Sequence, residues 1–128
     1  MQRAYYLYTG TDGHSHVTRG QIAEHVLIAA ESIMWAQTPA HSSLDWHNAP
    51  TTQYVITLSG TLEFGTRTGE TFTLEPGDVL VATDITGSGH QWRLVDDQPW
   101  RRAYVAFDKD TNFNFQVDDA GQPLACHA

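Results

Sequence analysis

Short runs of alternating apolar and polar residues follow one another from Thr51 onward. Gln53 to Ser59 is rich in Tyr, Val, Ile and Thr and is followed by Gly60. Residues 61–64 and 71–74 alternate in the same way and are separated by a glycine-containing loop. Short alternating runs punctuated by turn residues are typical of a β-sandwich or barrel. The pattern therefore predicts an all-β protein in which residues 61–64 and 71–74 form a hairpin.

Strands are also predicted elsewhere, at residues 5–8, 33–37, 79–82, 90–95 and 102–107. Pro76, Gly77 and Asp78 have the composition of a turn. Residues 21–30 fit either a helical turn or a strand. The polar tail after Asp108 has two large apolar anchors, Phe113 and Phe115, so we expect it to wrap around the barrel.

The length of 128 residues is typical of one domain and is sufficient for a hydrophobic core. We expect a single domain over residues 1–128. Its N-terminal strands would occupy about residues 1–40, its main barrel strands about 45–107 and its tail 108–128.

Charge limits the range of partners. Fifteen acidic and seven basic residues give a formal net charge of −8, and the only adjacent basic pair is Arg101 and Arg102. Nucleic acids and anionic membranes attract basic surfaces, so neither is an expected partner. The partner classes that remain are a small molecule and another protein.

The sequence also predicts a compartment. It contains no run of eighteen apolar residues and no basic segment ahead of an apolar stretch at its start. Cys126 is the only cysteine, so the chain has no intramolecular disulfide, which suits a reducing environment. We expect a cytoplasmic protein.

One group of polar residues stands out among the predicted strands. In an extended chain His47 and Ala49 share a face, Gln53 can rejoin that face after Pro50, and His90 begins a later strand. A closed barrel brings inward-facing residues of neighbouring strands together. We therefore expect His47, Gln53 and His90 to meet inside the barrel.

At these positions the chain resembles the cupin superfamily, whose first motif runs G-x5-H-x-H-x3,4-E-x6-G and whose second runs G-x5-P-x-G-x2-H-x3-N. His47, Gln53 and Gly60 fall on the leading His, the Glu and the closing Gly of the first motif. The second motif is matched by its turn, at Gly69, Pro76, Gly77 and Asp78, and by its His, at His90. The order of these segments is similar to that of short single-domain bacterial cupins.

The resemblance implies a jelly-roll barrel, the double-stranded β-helix, with a divalent transition metal at its centre. The implied ion is Fe, Mn, Ni or Zn, held by His47, Gln53 and His90, and the implied activity is that of an oxygenase, lyase or isomerase. The chain departs from the motif at Ala49, which stands in place of a metal-binding His, and at Gln53, a neutral amide in place of Glu.

The missing ligand leaves three functions open. A metal-dependent enzyme would use the three residues above as ligands. A metal-free lyase, isomerase or cyclase would move protons through His47 or His90. A binding or sensing protein would use the barrel as a ligand cage without turnover. His47 could also be a core histidine bonded to a backbone carbonyl, and Gln53 a buried amide in a polar network.

Three further residues are candidates for the site. Asp84 precedes the loop that leads to His90, so its carboxylate could orient His90, act as a general base or cap the loop. Trp92 shares the inward parity of His90, and Ala49 that of His47, so both are expected to line a pocket. Either side chain could equally be an ordinary part of the hydrophobic core.

Two other features bear on the site and on assembly. His14 and His16 alternate, so either could close the barrel mouth and add a ligand, although their polar surroundings favour two exposed loop histidines. Tyr54, Ile56 and Leu58 face away from Gln53 and would lie under another sheet or at a subunit contact. A homodimer is the expected assembly by resemblance to the superfamily.

Overall fold

The computed structural model describes residues 1–118 of the chain. In chain order its strands are β1 (Gln2–Thr9), β2 (Ser15–Ile22), β3 (Ser32–Thr38), β4 (Ser43–His47), β5 (Gln53–Ser59), β6 (Leu62–Thr66), β7 (Thr71–Leu74), β8 (Val79–Ala82), β9 (His90–Leu94), β10 (Trp100–Ala106) and β11 (Phe115–Val117). No helix occurs in this part of the chain. Cys126 and the end of the predicted tail, residues 119–128, lie outside the described residues.

The strands form two sheets. The large sheet has the order β11-β2-β1-β8-β5-β10-β3, and the small sheet has the order β4-β9-β6-β7. Neighbouring strands are antiparallel except for β1 and β8, which run parallel. The result is an all-β sandwich, an arrangement compatible with a jelly roll. The described part of the chain offers no helix that could span a lipid bilayer.

Most predicted strands are confirmed. The strands at Gln53–Ser59, Thr71–Leu74 and Val79–Ala82 have the predicted bounds, and β6 and β7 form the predicted hairpin. The other predicted strands differ from the observed ones by one to three residues at their ends. Alternation fixes the existence of a strand more firmly than its limits, because end residues have fewer packing partners.

The N-terminal region corrects two expectations. His16 lies in strand β2 rather than in an exposed loop, because Ser15 and Val17 are buried and the whole strand pairs with β1 across the turn at Asp12 and Gly13. Residues 21–30 form neither a helical turn nor a separate strand. Strand β2 ends at Ile22, and the chain then has no regular structure up to residue 31.

The hydrophobic core lies between the two sheets. Inward-facing side chains of both sheets meet there, among them Leu7 and Leu80 from the large sheet and Leu62, Phe64 and Leu74 from the small one. Alternation in the sequence is explained by this packing, because every second residue of β6, β7 and β9 is buried and those between them are mostly exposed.

Part of the outer face of the large sheet is covered by the C-terminal segment of the same chain. Phe107 packs against Tyr54 at a ring distance of 5.0 Å, and the Tyr54 hydroxyl donates a hydrogen bond to the Phe113 carbonyl at 2.5 Å. Strand β11 then pairs with β2 at the sheet edge. Tyr54 and Ile56 therefore lie under this segment rather than under another sheet, while Leu58 remains 44% exposed.

Leu62 and Leu58 provide a matched test of where the core lies. We expect Leu62→Ala to lower the free energy of unfolding by about 2–5 kcal/mol, because Leu62 is fully buried between the sheets. Leu58→Ala on the outer face should cost only about 0.5–1 kcal/mol. Urea unfolding followed by tryptophan fluorescence measures both. Equal losses in the two variants would contradict the packing described above.

Candidate functional site

A cavity of about 340 Å³ lies between the sheets and contains the residues that the sequence singled out. His47, Ala49, Gln53, His90 and Trp92 all contribute to its lining. The remaining wall is mostly apolar and aromatic, formed by residues such as Val55, Phe64, Leu80, Trp100 and Tyr104. Its size and lining are typical of a small-molecule site.

His90 is held by a carboxylate that has no contact with solvent. The Nδ1 atom of His90 lies 2.6 Å from Oδ2 of Asp84, and Asp84 is fully buried. The Ser15 hydroxyl donates a second hydrogen bond to the same oxygen at 2.6 Å. Asp84 therefore orients the His90 ring, one of the roles expected for it, and does not itself line the cavity.

The segment that carries Asp84 connects the two sheets. It follows β8 of the large sheet and leads into β9 of the small sheet. The Asp84 carbonyl accepts hydrogen bonds from the backbone N–H of Ala49 and from Nδ2 of Asn48, both at 3.2 Å. Gly89 has a φ of +78°, and a Cβ there would collide with the His47 carbonyl. Glycine thus permits the close approach that brings His47 beside His90.

His47 lies opposite His90 on the adjacent strand. The two residues are register partners in β4 and β9, and their ring centroids are 4.4 Å apart. Nδ1 of His47 lies 2.7 Å from the Asp45 carbonyl. Burial lowers the pKa of His47; the hydrogen bond to Asp45 opposes this shift, and the neighbouring His90 adds to it. His47 is therefore favoured in its neutral form.

Both rings have their Nδ1 atoms engaged by acceptors. A carbonyl oxygen only accepts hydrogen bonds, so Nδ1 of His47 must carry the proton, and the Asp84 carboxylate imposes the same tautomer on His90. Within residues 1–118 neither Nε2 atom has a hydrogen-bond partner. Each ring thus keeps an Nε2 lone pair for a ligand.

Gln53 and Ala49 line the same cavity as the two histidines. Gln53 is buried at the start of β5, and its side chain makes no hydrogen bond to any described residue. Its amide is thus available to a ligand. Ala49 contributes only a methyl group. The described residues contain no group of three or more His, Cys, Asp or Glu side chains arranged to hold a metal ion.

His14 and His16 lie away from the cavity. His14 contacts the Ser88 hydroxyl at 2.8 Å. His16 contacts the buried carboxylate of Glu70 through Nδ1 and Asp12 through Nε2. Burial lowers the pKa of His16, but its hydrogen bonds to Asp12 and Glu70 outweigh that effect and raise the pKa overall. Both nitrogens of His16 are therefore occupied.

Three polar residues near the site escape prediction from the sequence. Ser15 supports Asp84 from strand β2, and Arg102 and Tyr104 line the cavity from β10. The alternation of β10 is the available signal for the latter two, because Trp100, Arg102 and Tyr104 share one face. Because Arg101 and Arg102 are adjacent and both charged, the sequence instead suggests that both lie on the surface. The Arg102 side chain is buried, with 8% of the residue exposed.

The sequence matches no protein-family model and no curated protein. The interpretation of the site therefore depends on its geometry.

The lowered pKa of His47 has a measurable consequence. A histidine whose folded pKa is depressed stabilises the fold above its unfolded pKa of about 6.5, and this contribution is lost as the pH falls through the folded pKa. We expect an NMR titration midpoint for His47 below 6.5. The His47→Gln variant should lose less stability between neutral and acidic pH than the wild type. A midpoint above the ordinary value would contradict the environment described for this ring.

Proposed function

We propose that the chain is a single-domain cupin with a jelly-roll barrel, and that it catalyses proton transfer on a small molecule bound in the cavity. His90 is the general base, Asp84 positions it, and His47 accepts a hydrogen bond from the ligand. The reaction class is that of a lyase, isomerase or cyclase. The observation that carries the proposal is the pairing of a fully buried Asp84 with a histidine of the cavity wall.

The placement of Asp84 argues for catalysis over simple packing. Burying a carboxylate is costly, and Oδ1 of Asp84 is the one buried side-chain oxygen or nitrogen within residues 1–118 that lacks a hydrogen-bond partner. A core that needed only to be filled would favour an apolar residue here. An Asp that orients a histidine and offsets the charge of its imidazolium has a known catalytic use.

The proposed chemistry uses the chain's own atoms. Nε2 of His90 accepts a proton from an acidic C–H or O–H group of the ligand, and the electron pair of the broken bond stays on the ligand. Asp84 offsets the positive charge of the imidazolium, which then returns the proton to the ligand or to water. His47, kept neutral by burial, accepts a hydrogen bond from a second ligand group. The mostly apolar wall limits water near the reacting atoms, which strengthens these electrostatic effects.

A divalent metal is the second candidate, favoured by one observation. Metal-binding histidines usually give one ring N–H to a carboxylate or carbonyl and bind the ion through the other nitrogen, and His47 and His90 have this pattern. Together with the Gln53 oxygen they would hold Zn, Fe, Mn or Ni, which would supply a Lewis acid. The set contains no anionic donor, whereas catalytic zinc sites commonly use three His or a carboxylate. The donor set therefore fits a metal less well than it fits acid-base chemistry.

Deuterium exchange into a panel of simple acids tests the acid-base proposal. We expect the protein, in D2O with a chelator, to catalyse loss of proton NMR signals next to the carbonyl group in 2-oxo and 3-oxo carboxylic acids. His90→Gln should slow the exchange by about a hundredfold to ten-thousandfold, because the base is removed. Asp84→Asn should slow it as well, since the amide no longer imposes the tautomer.

The exposed His41 provides the matched control. His41→Gln removes an imidazole that contacts Asp97 on the surface, and it should leave the exchange rate unchanged. Exchange abolished by chelator and restored by added Zn, Fe, Mn or Ni would support the metal candidate instead. Exchange at the same rate in wild type and His90→Gln would contradict both.

A further inference from the structure

Arg102 is a buried cation in the cavity wall without a carboxylate partner. Its side chain projects from β10, and 8% of the residue is exposed. Within residues 1–118 no Asp or Glu lies within salt-bridge distance of it. Arg3 and Arg93, by contrast, pair with Asp78 and Glu63.

Every group that holds Arg102 is neutral. Nη1 donates to the Thr38 hydroxyl at 2.7 Å and to the Trp100 carbonyl at 3.0 Å. Nε donates to the Tyr104 hydroxyl at 3.0 Å, and the guanidinium lies 3.9 Å from the centre of the Trp100 ring. Nη2 makes no hydrogen bond to any described residue. These contacts fix the position of the cation without neutralising it.

An uncompensated buried charge calls for an anion. A guanidinium keeps its charge in proteins, and burying a charge is costly unless it is paired. The aromatic face of Trp100 attracts the cation but contributes only part of that compensation. No Asp or Glu of the described residues lines the cavity, although the chain as a whole is strongly acidic. The missing negative charge is therefore best supplied by a ligand.

The register of the sheet separates Arg102 from the histidines. Arg102 lies opposite Thr57, whereas Gln53 pairs with Ala82, two residues before Asp84. Four residues of an extended strand span about 13 Å. The Arg102 backbone is thus displaced along the sheet from the residues that lead into Asp84. A series of ring contacts connects His90 to the guanidinium: His90 to Phe64 at 5.8 Å, Phe64 to Trp100 at 6.5 Å, and Trp100 to Arg102 at 3.9 Å.

We propose that Arg102 binds the carboxylate of an elongated small-molecule acid with an apolar or aromatic body. One guanidinium is balanced by one negative charge, so a monoanionic carboxylate suits the site better than a phosphate dianion. Nη2 of Arg102 donates to the ligand, and the far end of the ligand reaches His47 and His90. This substrate class rests on the proposed function, because it assumes that the chemistry occurs at the two histidines.

Matched acids and amides test the assignment by calorimetry. The probes are 4-phenylbutyrate with 4-phenylbutyramide, octanoate with octanamide, and phenyl phosphate. We expect each carboxylate to bind the wild type about tenfold to a hundredfold more tightly than its amide. Arg102→Met should remove that preference and leave amide binding unchanged. Phenyl phosphate bound more tightly than the carboxylates would overturn the assignment to a carboxylic acid.

Arg101→Met is the control, because Arg101 is the exposed neighbour on the opposite face of β10 and carries the same charge. It should retain the preference for acids.

Arg102→Met should keep or raise the melting temperature, since an uncompensated buried charge is removed. Equal binding of acids and amides by the wild type, failure of every probe to bind, or an unchanged preference in Arg102→Met overturns the proposal.

The outcome is separable from that of the proposed function. His90→Gln should bind the carboxylates with the wild-type preference, because the anion contact is made by the Arg102 guanidinium and not by the imidazole. An Arg102-dependent preference without any proton exchange would support the anion site and reject the acid-base proposal. Proton exchange without a preference for acids over amides would support the acid-base proposal and reject the anion site.

Discussion

The contact between Asp84 and His90 joins the two sheets of the sandwich at a point where both side chains are buried. Asp84 follows the last residues of β8 in the large sheet, and His90 opens β9 in the small one. Ser15, from the large sheet, contacts the same carboxylate oxygen. Because a buried carboxylate is tolerated only with good partners, this constraint fixes the connecting loop and with it the start of β9. The position of His47 depends on the same loop, through the hydrogen bond from Ala49 and the close approach at Gly89.

The cavity combines an apolar wall with polar groups at separate places. Its two imidazoles contact each other, and the Gln53 amide belongs to the same wall. Among the described residues its one guanidinium is that of Arg102, which projects from β10 and is held by neutral partners. An apolar wall makes each of these groups act more strongly than it would in water. Although the chain has a formal charge of −8, Arg102 is the one Arg, Lys, Asp or Glu of the described residues that lines the cavity.

Local alternation is sufficient to predict most of the strands and the parity of the site. His47, Ala49, Gln53, His90 and Trp92 are expected on inward faces, and all five line the cavity. Sequence does not predict contacts between distant elements. Ser15 is sixty-nine residues from Asp84, so no local pattern links them. Strand β2 escapes prediction because its polar residues are satisfied by distant partners, as His16 is by Glu70. The adjacent Arg101 makes Arg102 look like a surface residue in the sequence. The alternation of β10 in fact buries Arg102 and exposes Arg101.

The tautomer of His90 tests the central claim most directly. Long-range proton–nitrogen NMR of histidine-labelled protein distinguishes the two neutral forms of the ring. The geometry predicts a protonated Nδ1, donating to Asp84, and an unprotonated Nε2 available to the cavity. A His90 ring protonated at Nε2, with a bare Nδ1, would contradict the account, because the cavity would then contain no base oriented by Asp84.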